Sequence, residues 1–350
     1  MQSSAVDDVA ASRAALGRPL RFDEFMGVAL YGDHGFYTAV GSAGRRGDFL
    51  TSAEVGPLFG ATVARWIEAE RERLGDPSDF TVVEVGAGPG TLARSVLLAA
   101  PHLAGRYVAV EVSAVMRERH PDGVRSTAEL PSGALAGVVV ANELLDNLPF
   151  RLAVNDDGWR EAFVDVGRDG QLVEILRQAP PEWHWLPLHA PHGARVPVQG
   201  TAADWISAAR GLLRSGSVVV FDYAVPTTAE LARRPWRSWL RTYRAHERGG
   251  HYLRDVGQQD ITSDVCIDQL PPPDAVRTQA QFLRRWGIDE LVEDGRSAWE
   301  AAAHAPDLAA LRMRSRAREA EALLDVGGLG SFQVLEWRCA PPCPPSCPPS

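Results

Sequence analysis

The pattern of hydrophobic and polar positions predicts two helices near the start of the chain, followed by an alternation of strands and helices. Apolar residues recur at helical spacing in the segments 22–29 and 58–67. Strand-like apolar runs separated by helical patterns follow at residues 81–85, 107–112, 137–141 and 217–223. Strands that alternate with helices predict a parallel sheet with helical crossovers, and therefore an α/β fold.

Turn signals interrupt this alternation after Phe150. Asp157-Gly158 and Asp169-Gly170 are typical of tight hairpin turns, so we predict a β insertion near residues 150–177. The predicted organisation comprises a helical N-terminal and lid segment at 1–78, a core at 79–225 that contains the β insertion, a helical insertion on the substrate side at 226–325, a final sheet strand at 326–338 and a disordered Pro/Cys tail at 339–350.

Composition narrows the possible functions. The chain of 350 residues carries 36 basic and 45 acidic side chains, a formal net charge of −9. This acidic balance argues against a nucleic-acid partner, which would normally require a basic face. The sequence contains no lysine. That absence excludes a Schiff-base lysine, a pyridoxal phosphate anchor and a Walker A lysine.

Cysteine use and the absence of targeting signals predict a cytoplasmic protein. Four cysteines are too few for a disulfide scaffold in a chain of this length. The first residues contain no apolar signal segment, and no apolar run approaches the ~20 residues that span a bilayer. We also expect no metal site, because the part predicted to be ordered has neither a His-Glu-x-x-His motif nor a paired Cys-x₂-Cys site.

The segment VVEVGAGPGTL, which follows Thr81, carries the clearest chemical signal. A strand runs into Gly86, Gly88 and Gly90, so the backbone can turn tightly and a ligand can lie against it. The third glycine falls one place earlier than in the dinucleotide fingerprint Gly-x-Gly-x-x-Gly, and Pro89 removes an N–H group that a pyrophosphate would use. The spacing therefore favours S-adenosylmethionine (SAM) over NAD.

Acidic residues follow two further strands. Glu111 ends the strand after the glycine loop, where a carboxylate can accept both hydroxyls of a ribose, or can simply be a solvated strand end. Asn142, Glu143 and Asp146 follow a buried strand whose carboxyl end faces the same crevice. These three residues are candidates to act near a transferable methyl group, and capping of the next helix is the competing role for the two acids.

The chain resembles the MidA family of class I SAM-dependent methyltransferases. The loop with Glu84 and Glu111 resembles motif I and the acidic residue that follows it. Family-like segments cover most of residues 18–338 in the order RFDEFMGVALYGDHGFYT, RRGDFLTSAEVGPLFG, NELLDNLPF, VVVFDY, RTYRAHERGGHYLRDVGQQDITSDV and GGLGSFQVLEWR. The family includes the mitochondrial arginine methyltransferase that assists assembly of respiratory complex I.

The resemblance implies a doubly wound Rossmann-like methyltransferase sheet with a helical N-terminal segment, a β-hairpin insertion and a helical insertion. It implies that SAM is held by Glu84, Gly86, Gly88, Gly90 and Glu111, and that an N-terminal loop lies over it with Gly47, Asp48, Phe49, Thr51 and Glu54. The family usually has Thr-Ala-Pro-Glu where this chain has Thr51-Ser52-Ala53-Glu54, and loss of the proline makes this loop less rigid.

Three functions follow from these observations. The first is methyl transfer to a protein arginine, in which Glu143 and Asp146 bind the guanidinium and Asn142 lies beside them. Tyr243 and His246 are further candidates to line the acceptor site, and a structural role is the alternative for His246. Arg45 and Arg46 are alternative partners for the acids. The second is O- or N-methylation of a small molecule. The third is a non-catalytic assembly factor, which the intact glycines disfavour.

Overall fold

The computed structural model describes residues 4–38, 51–244, 247–302, 304–305 and 307–339. The chain forms two compact units. The first unit contains the described residues of Met1–Phe49, Leu145–Ser207 and Tyr223–Pro272, and the second contains those of Leu50–Leu144, Ala208–Asp222 and Pro273–Ser350.

In the described part of the chain, the α-helices are α1 (Ala5–Leu16), α2 (Phe22–Tyr31), α3 (Ser52–Val55), α4 (Pro57–Arg73), α5 (Thr91–Ala99), α6 (Ala114–Arg117), α7 (Gly200–Gly211), α8 (Thr228–Leu231), α9 (Gln279–Arg285), α10 (Ile288–Ala301) and α11 (Leu308–Leu324). The strands are β1 (Leu20–Arg21), β2 (Thr81–Val85), β3 (Tyr107–Val110), β4 (Val124–Thr127), β5 (Leu135–Asn142), β6 (Arg151–Asn155), β7 (Trp159–Val166), β8 (Leu172–Gln178), β9 (Arg195–Val198), β10 (Leu213–Asp222), β11 (Ala224–Val225), β12 (Leu240–Arg244), β13 (Glu247–Arg248), β14 (Asp260–Ser263), β15 (Val265–Cys266), β16 (Ala275–Thr278) and β17 (Gln333–Cys339).

The second unit is built on a seven-stranded sheet with the order β16-β17-β10-β5-β2-β3-β4. The strands from β10 to β4 are parallel, whereas β17 runs antiparallel to both of its neighbours. The middle strands are buried along almost their whole length, which explains their continuous apolar sequence. The predicted doubly wound Rossmann-like sheet is confirmed.

The core of the second unit combines aromatic side chains with close backbone contacts. Phe221 on β10 packs edge-on against Phe282 on α9 with ring centroids 5.0 Å apart, and Trp66 on α4 lies 6.3 Å from the same ring. Gly216 on β10 has φ of 139°, and a Cβ atom there would lie 1.7 Å from the carbonyl oxygen of Gly137. Only glycine permits this approach between the two strands.

The first unit contains an antiparallel sheet with the order β1-β7-β6-β9, to which β8 adds by pairing with β7. Asp157 and Gly158 adopt φ of 51° and 125° in the turn between β6 and β7, as a tight hairpin requires. The predicted β insertion is therefore present. It extends beyond residue 177, because β9 pairs with β6.

The two predicted flanking segments differ from the structure. Segment 226–325, predicted as a helical insertion, contains the short helix α8 and strands β12 to β16 before the helices α9 to α11 begin at Gln279. In β12 the buried Leu240 and Thr242 alternate with the more exposed Arg241 and Tyr243, a period of two that the arginine-rich sequence conceals. Segment 1–78 is also divided, since α1 and α2 belong to the first unit and α3 and α4 to the second.

Among the described residues, no helix is both long and apolar enough to cross a membrane. Cys339 ends β17, and the remainder of the Pro/Cys tail lies outside the described residues.

Candidate active site

The glycine loop of the second unit joins the end of β2 to the start of α5. Gly86, Gly88 and Gly90 all lie in the left-handed region, with φ of 71°, 52° and 78°. A Cβ atom would lie 3.0 Å from the Leu144 Cδ1 atom at Gly86, and 2.9 Å from the Pro121 Cδ atom at Gly90. The loop is thus a bare backbone cradle whose conformation and surroundings both favour glycine.

Glu111 is part of this cradle and is not a solvated strand end. Its carboxylate is buried, with Oε2 accepting the Gly88 N–H at 2.8 Å and Oε1 accepting the Ser113 N–H at 2.9 Å. Each carboxylate oxygen can accept a further hydrogen bond. Glu111 therefore fixes the loop and retains the acceptor capacity that a ribose diol requires.

His120 holds the opposite side of the same peptide segment, a role that the sequence did not reveal. Its Nε2 atom lies 2.9 Å from the Gly88 carbonyl oxygen. Because a carbonyl oxygen only accepts, Nε2 carries the proton in this hydrogen bond. Gly88 is thus fixed through its N–H by Glu111 and through its C=O by His120.

Two arginines brace the backbone around the cradle. Arg117 Nη1 donates to the carbonyl oxygens of Glu111 and Val112 at 2.6 and 2.8 Å. Arg94 Nη2 donates to the carbonyl oxygens of Pro89 and Arg119 at 3.2 and 2.6 Å. The Arg94 contacts join the glycine loop to the segment after β3, and the Arg117 contacts fix the backbone of that segment itself.

Glu84, predicted to bind the cofactor, has a structural partner. Its Oε2 atom accepts the Tyr107 O–H at 2.8 Å, and both side chains are buried. Burial, together with the adjacent carboxylate, raises the pKa of Tyr107 well above its ordinary value, so Tyr107 remains a proton donor. A direct contact of Glu84 with the cofactor stays a prediction.

Asn142 and Glu143 lie where β5 ends. Glu143 has φ of 53°, an uncommon backbone conformation for a residue other than glycine. Its buried Oε1 atom accepts the Asn142 Nδ2 group at 3.0 Å and the Ser52 N–H at 3.3 Å. The Asn142 Oδ1 atom is buried and accepts no hydrogen bond from the described residues. The next residue, Leu144, contacts Gly86, so this strand end borders the glycine loop.

Thr51 and Glu54 form a capping box at the start of α3, in which Glu54 Oε2 accepts the Thr51 N–H at 3.2 Å. This gives Glu54 a structural role of its own. The Ser52 hydroxyl donates to Gln279 Oε1 at 2.9 Å and ties the same turn to α9. The other predicted loop residues, Gly47, Asp48 and Phe49, lie outside the described residues, as do Arg45, Arg46 and His246.

Asp146 and Tyr243 belong to the first unit, unlike the other described candidates. Asp146 is buried in a 3₁₀ turn, Leu145–Asn147, and Tyr243 lies on β12. The next residue, Asn147, donates from Nδ2 to Asp260 Oδ1 at 3.1 Å and so fixes this turn. The catalytic role of Asp146 stays a prediction.

The described residues contain no group of three or more histidine, cysteine, aspartate or glutamate side chains arranged to hold a metal ion. The features that could hold a cofactor are instead the glycine cradle, the ribose-compatible Glu111 carboxylate and the buried Asn142 oxygen, which accepts no hydrogen bond from this part of the chain. They fit an uncharged nucleoside portion without a pyrophosphate, as SAM has.

The sheet order, the antiparallel β17 and the glycine cradle define a Rossmann-like methyltransferase. The family model for S-adenosyl-L-methionine-dependent methyltransferases matches residues 62–283, so the chain belongs to this family. The resemblance to the MidA family is thereby confirmed, and the cofactor is SAM.

Several relatives carry more specific names. The protein arginine methyltransferase NDUFAF7 of Danio rerio is 24% identical, with 81% of this chain and 76% of the relative covered. The corresponding Homo sapiens protein is 25% identical, with 77% and 70% covered. The NDUFAF7 homologue of Drosophila melanogaster is 31% identical, but the match covers only 42% of each chain.

A solved structure supports the assignment to the SAM-dependent methyltransferases. A crystal structure of a Burkholderia thailandensis protein bound to S-adenosyl-homocysteine is 26% identical to this chain, with a TM-score of 0.80. The alignment covers 95% of this chain and 92% of that one.

Proposed function

We propose that this methyltransferase transfers its methyl group to the guanidinium of an arginine in a protein. The observation that carries the proposal is Glu143, a buried carboxylate with a left-handed backbone at the end of β5, beside the glycine loop. The names of the NDUFAF7 relatives, which are protein arginine methyltransferases, support the same acceptor.

Arginine is a demanding acceptor because its guanidinium keeps its proton at neutral pH, with a pKa above ~12. SAM supplies an electrophilic methyl group on a sulfonium, and its C–S bond breaks as the new N–C bond forms. Glu143 binds the guanidinium N–H groups, orients one nitrogen and takes the proton that this nitrogen loses. Asn142 and the Ser52 N–H hold the Glu143 carboxylate in place for this task.

Two further expectations belong to the proposal. Asp146 takes part in catalysis, as its place in the NELLDNLPF segment suggests. The protein acts in the cytoplasm, although several relatives have the word mitochondrial in their names. Methylation of a small-molecule O or N acceptor is the alternative that the experiment must separate from arginine methylation.

The test is methylation of a lysate of the source organism by the purified protein with labelled SAM, followed by mass spectrometry. We expect methyl-arginine in one or a few proteins. Glu143→Gln keeps the shape of the side chain but removes its charge, and should reduce the methylation rate about 10²- to 10⁴-fold while SAM still binds. Glu129→Gln, an exposed position in the same unit, is the matched control and should keep full activity.

Label that appears only in a small-molecule fraction would reject the arginine acceptor and favour the alternative. Full activity of Glu143→Gln would reject the role assigned to Glu143, whichever acceptor is found.

A further inference from the structure

The first unit contains a cavity of about 880 Å³ whose charged lining is basic. Four arginines line it, namely Arg237, Arg241, Arg248 and Arg254. Among the residues that line the cavity none is acidic. This concentration of positive charge contrasts with the net charge of −9 of the whole chain.

The arginines of the lining are poorly neutralised. Arg241 lies 2.8 Å from the carboxylate of Asp264, but Arg234 shares the same carboxylate at 2.9 Å. In the described part of the chain, Arg237, Arg248 and Arg254 form no ion pair with a carboxylate. The cavity therefore keeps an excess of cationic groups that can bind an anion.

An ion pair, Arg195 with Glu174, contacts the lining residues Trp236 and Tyr252 and adds little net charge. Arg195 donates from Nη1 and Nη2 to Glu174 at 2.6 and 2.7 Å, and the Tyr252 hydroxyl donates to the same carboxylate. Arg195 also lies over the Trp236 ring, with its guanidinium carbon 4.9 Å from the ring centroid. Arg195 neutralises the charge of Glu174. This carboxylate therefore does not offset the positive charge of the lining arginines.

Two of the lining arginines, Arg237 and Arg248, are held by contacts within the protein. The guanidinium carbon of Arg237 lies 5.0 Å from the Trp236 centroid. Arg248 donates from Nη2 to the Arg237 carbonyl oxygen. An arginine that is already ordered loses less conformational entropy when it binds a carboxylate.

We propose that this cavity binds an acidic segment of the protein that carries the acceptor arginine. The lining arginines come from four positions along the chain, namely before β12, on β12, on β13 and after β13. Charge distributed in this way fits several carboxylates along a peptide better than one phosphate group. Each guanidinium can bind a carboxylate through two parallel hydrogen bonds. The inference rests on the proposed function for the identity of the partner, but the binding itself requires no methyl transfer.

The test uses a fluorescein-labelled hexaglutamate peptide and the full-length protein, with fluorescence anisotropy as the readout. We expect saturable binding that weakens as salt is added, since exposed charges are screened. Arg237→Gln/Arg248→Gln should weaken this binding about tenfold or more. The control Arg125→Gln/Arg296→Gln makes the same change in charge at exposed positions of the second unit and should bind like the wild type.

Several outcomes would overturn the proposal. These are absence of hexaglutamate binding, equal binding of a hexaglutamine peptide, equal loss in the control variant, and tighter binding of single-stranded RNA or of inorganic phosphate than of hexaglutamate. Thermal unfolding verifies that both double variants are folded.

The experiments distinguish the failure of the docking site from the failure of the proposed function. Hexaglutamate binding without arginine methylation rejects only the proposed function. Arginine methylation with an unchanged KM in Arg237→Gln/Arg248→Gln rejects only the docking site.

Discussion

The glycine cradle of the second unit and the basic cavity of the first unit differ in how far apart in sequence the contacts that fix them lie. In the second unit the cofactor cradle is fixed by Glu111 and Gly88, which are 23 residues apart. In the first unit the cluster that includes the cavity-lining Tyr252 joins Glu174 to Tyr252, 78 residues apart, and Arg195 to Tyr252, 57 residues apart. A cofactor shared by many enzymes is bound through a local motif, whereas this cavity depends on the complete fold of its unit.

Substitution of Gly88 by valine should produce the largest effect on cofactor binding and should be confined to the cofactor cradle. A β-branched side chain is strained at φ of 52°, and a shift of the loop would break the Gly88–Glu111 hydrogen bond. We expect SAM affinity measured by calorimetry to fall about a hundredfold or more. Gly105→Val is the control, because Gly105 has φ of 80° but nothing within 4 Å of its Cβ position. Retained SAM affinity in Gly88→Val would mean that the cradle is not the cofactor site.

In the first unit, Glu174→Gln should destabilise the fold by about 3–5 kcal/mol, because it leaves Arg195 buried without its counter-charge. Burial acts to raise the pKa of Glu174, but the hydrogen bonds and charge of Arg195 outweigh it and hold the pKa below its ordinary value of 4.5. Because its pKa is lower in the folded state than in the unfolded state, ionised Glu174 stabilises the folded protein. This contribution is fully present above pH 4.5 and is lost as the pH falls through the folded-state pKa.

Chemical denaturation at several pH values measures this contribution. The wild type should lose stability below pH 4.5 more steeply than Glu174→Gln does. Parallel pH profiles for the two proteins would contradict the assigned ion pair.

His120→Leu should have a smaller effect in the second unit, limited to its affinity for SAM. Loss of the hydrogen bond to the Gly88 carbonyl leaves the loop less ordered, so we expect SAM to bind about tenfold more weakly, corresponding to the ~1–2 kcal/mol of one hydrogen bond. His102→Leu removes a half-exposed histidine from the same unit and should not change SAM affinity. Equal affinities for the two variants would assign His120 a purely structural role.

The smallest effect is expected at Cys266 in the first unit. Burial raises the pKa of this thiol to about 12, so at neutral pH it is protonated and unreactive. Cys266→Ser should leave the number of thiols that react with a disulfide reagent in the native protein unchanged, and should remove one after denaturation. A loss of one fast-reacting native thiol in this variant would show that the first unit opens at this position.

The difference between local patterns and contacts that only the fold creates explains which features could be predicted from the sequence. Strand β2 was predicted at its observed bounds because it is buried on both faces and reads as one apolar run. The Thr51-x-x-Glu54 capping box also has a sequence signature and could have been identified from it. His120 has no such signature, since its role depends on a contact with Gly88 that only the fold creates.

Hydrogen–deuterium exchange with and without S-adenosyl-homocysteine tests the central claim most directly, because it follows both units in one experiment. We predict protection of backbone amides in peptides that cover residues 84–92 and 110–114, where the glycine cradle and Glu111 lie. Peptides that cover residues 156–172 in the first unit, which include β7 and the turns on either side of it, should exchange at unchanged rates. Absence of protection at 84–92 in the presence of saturating ligand would contradict the account.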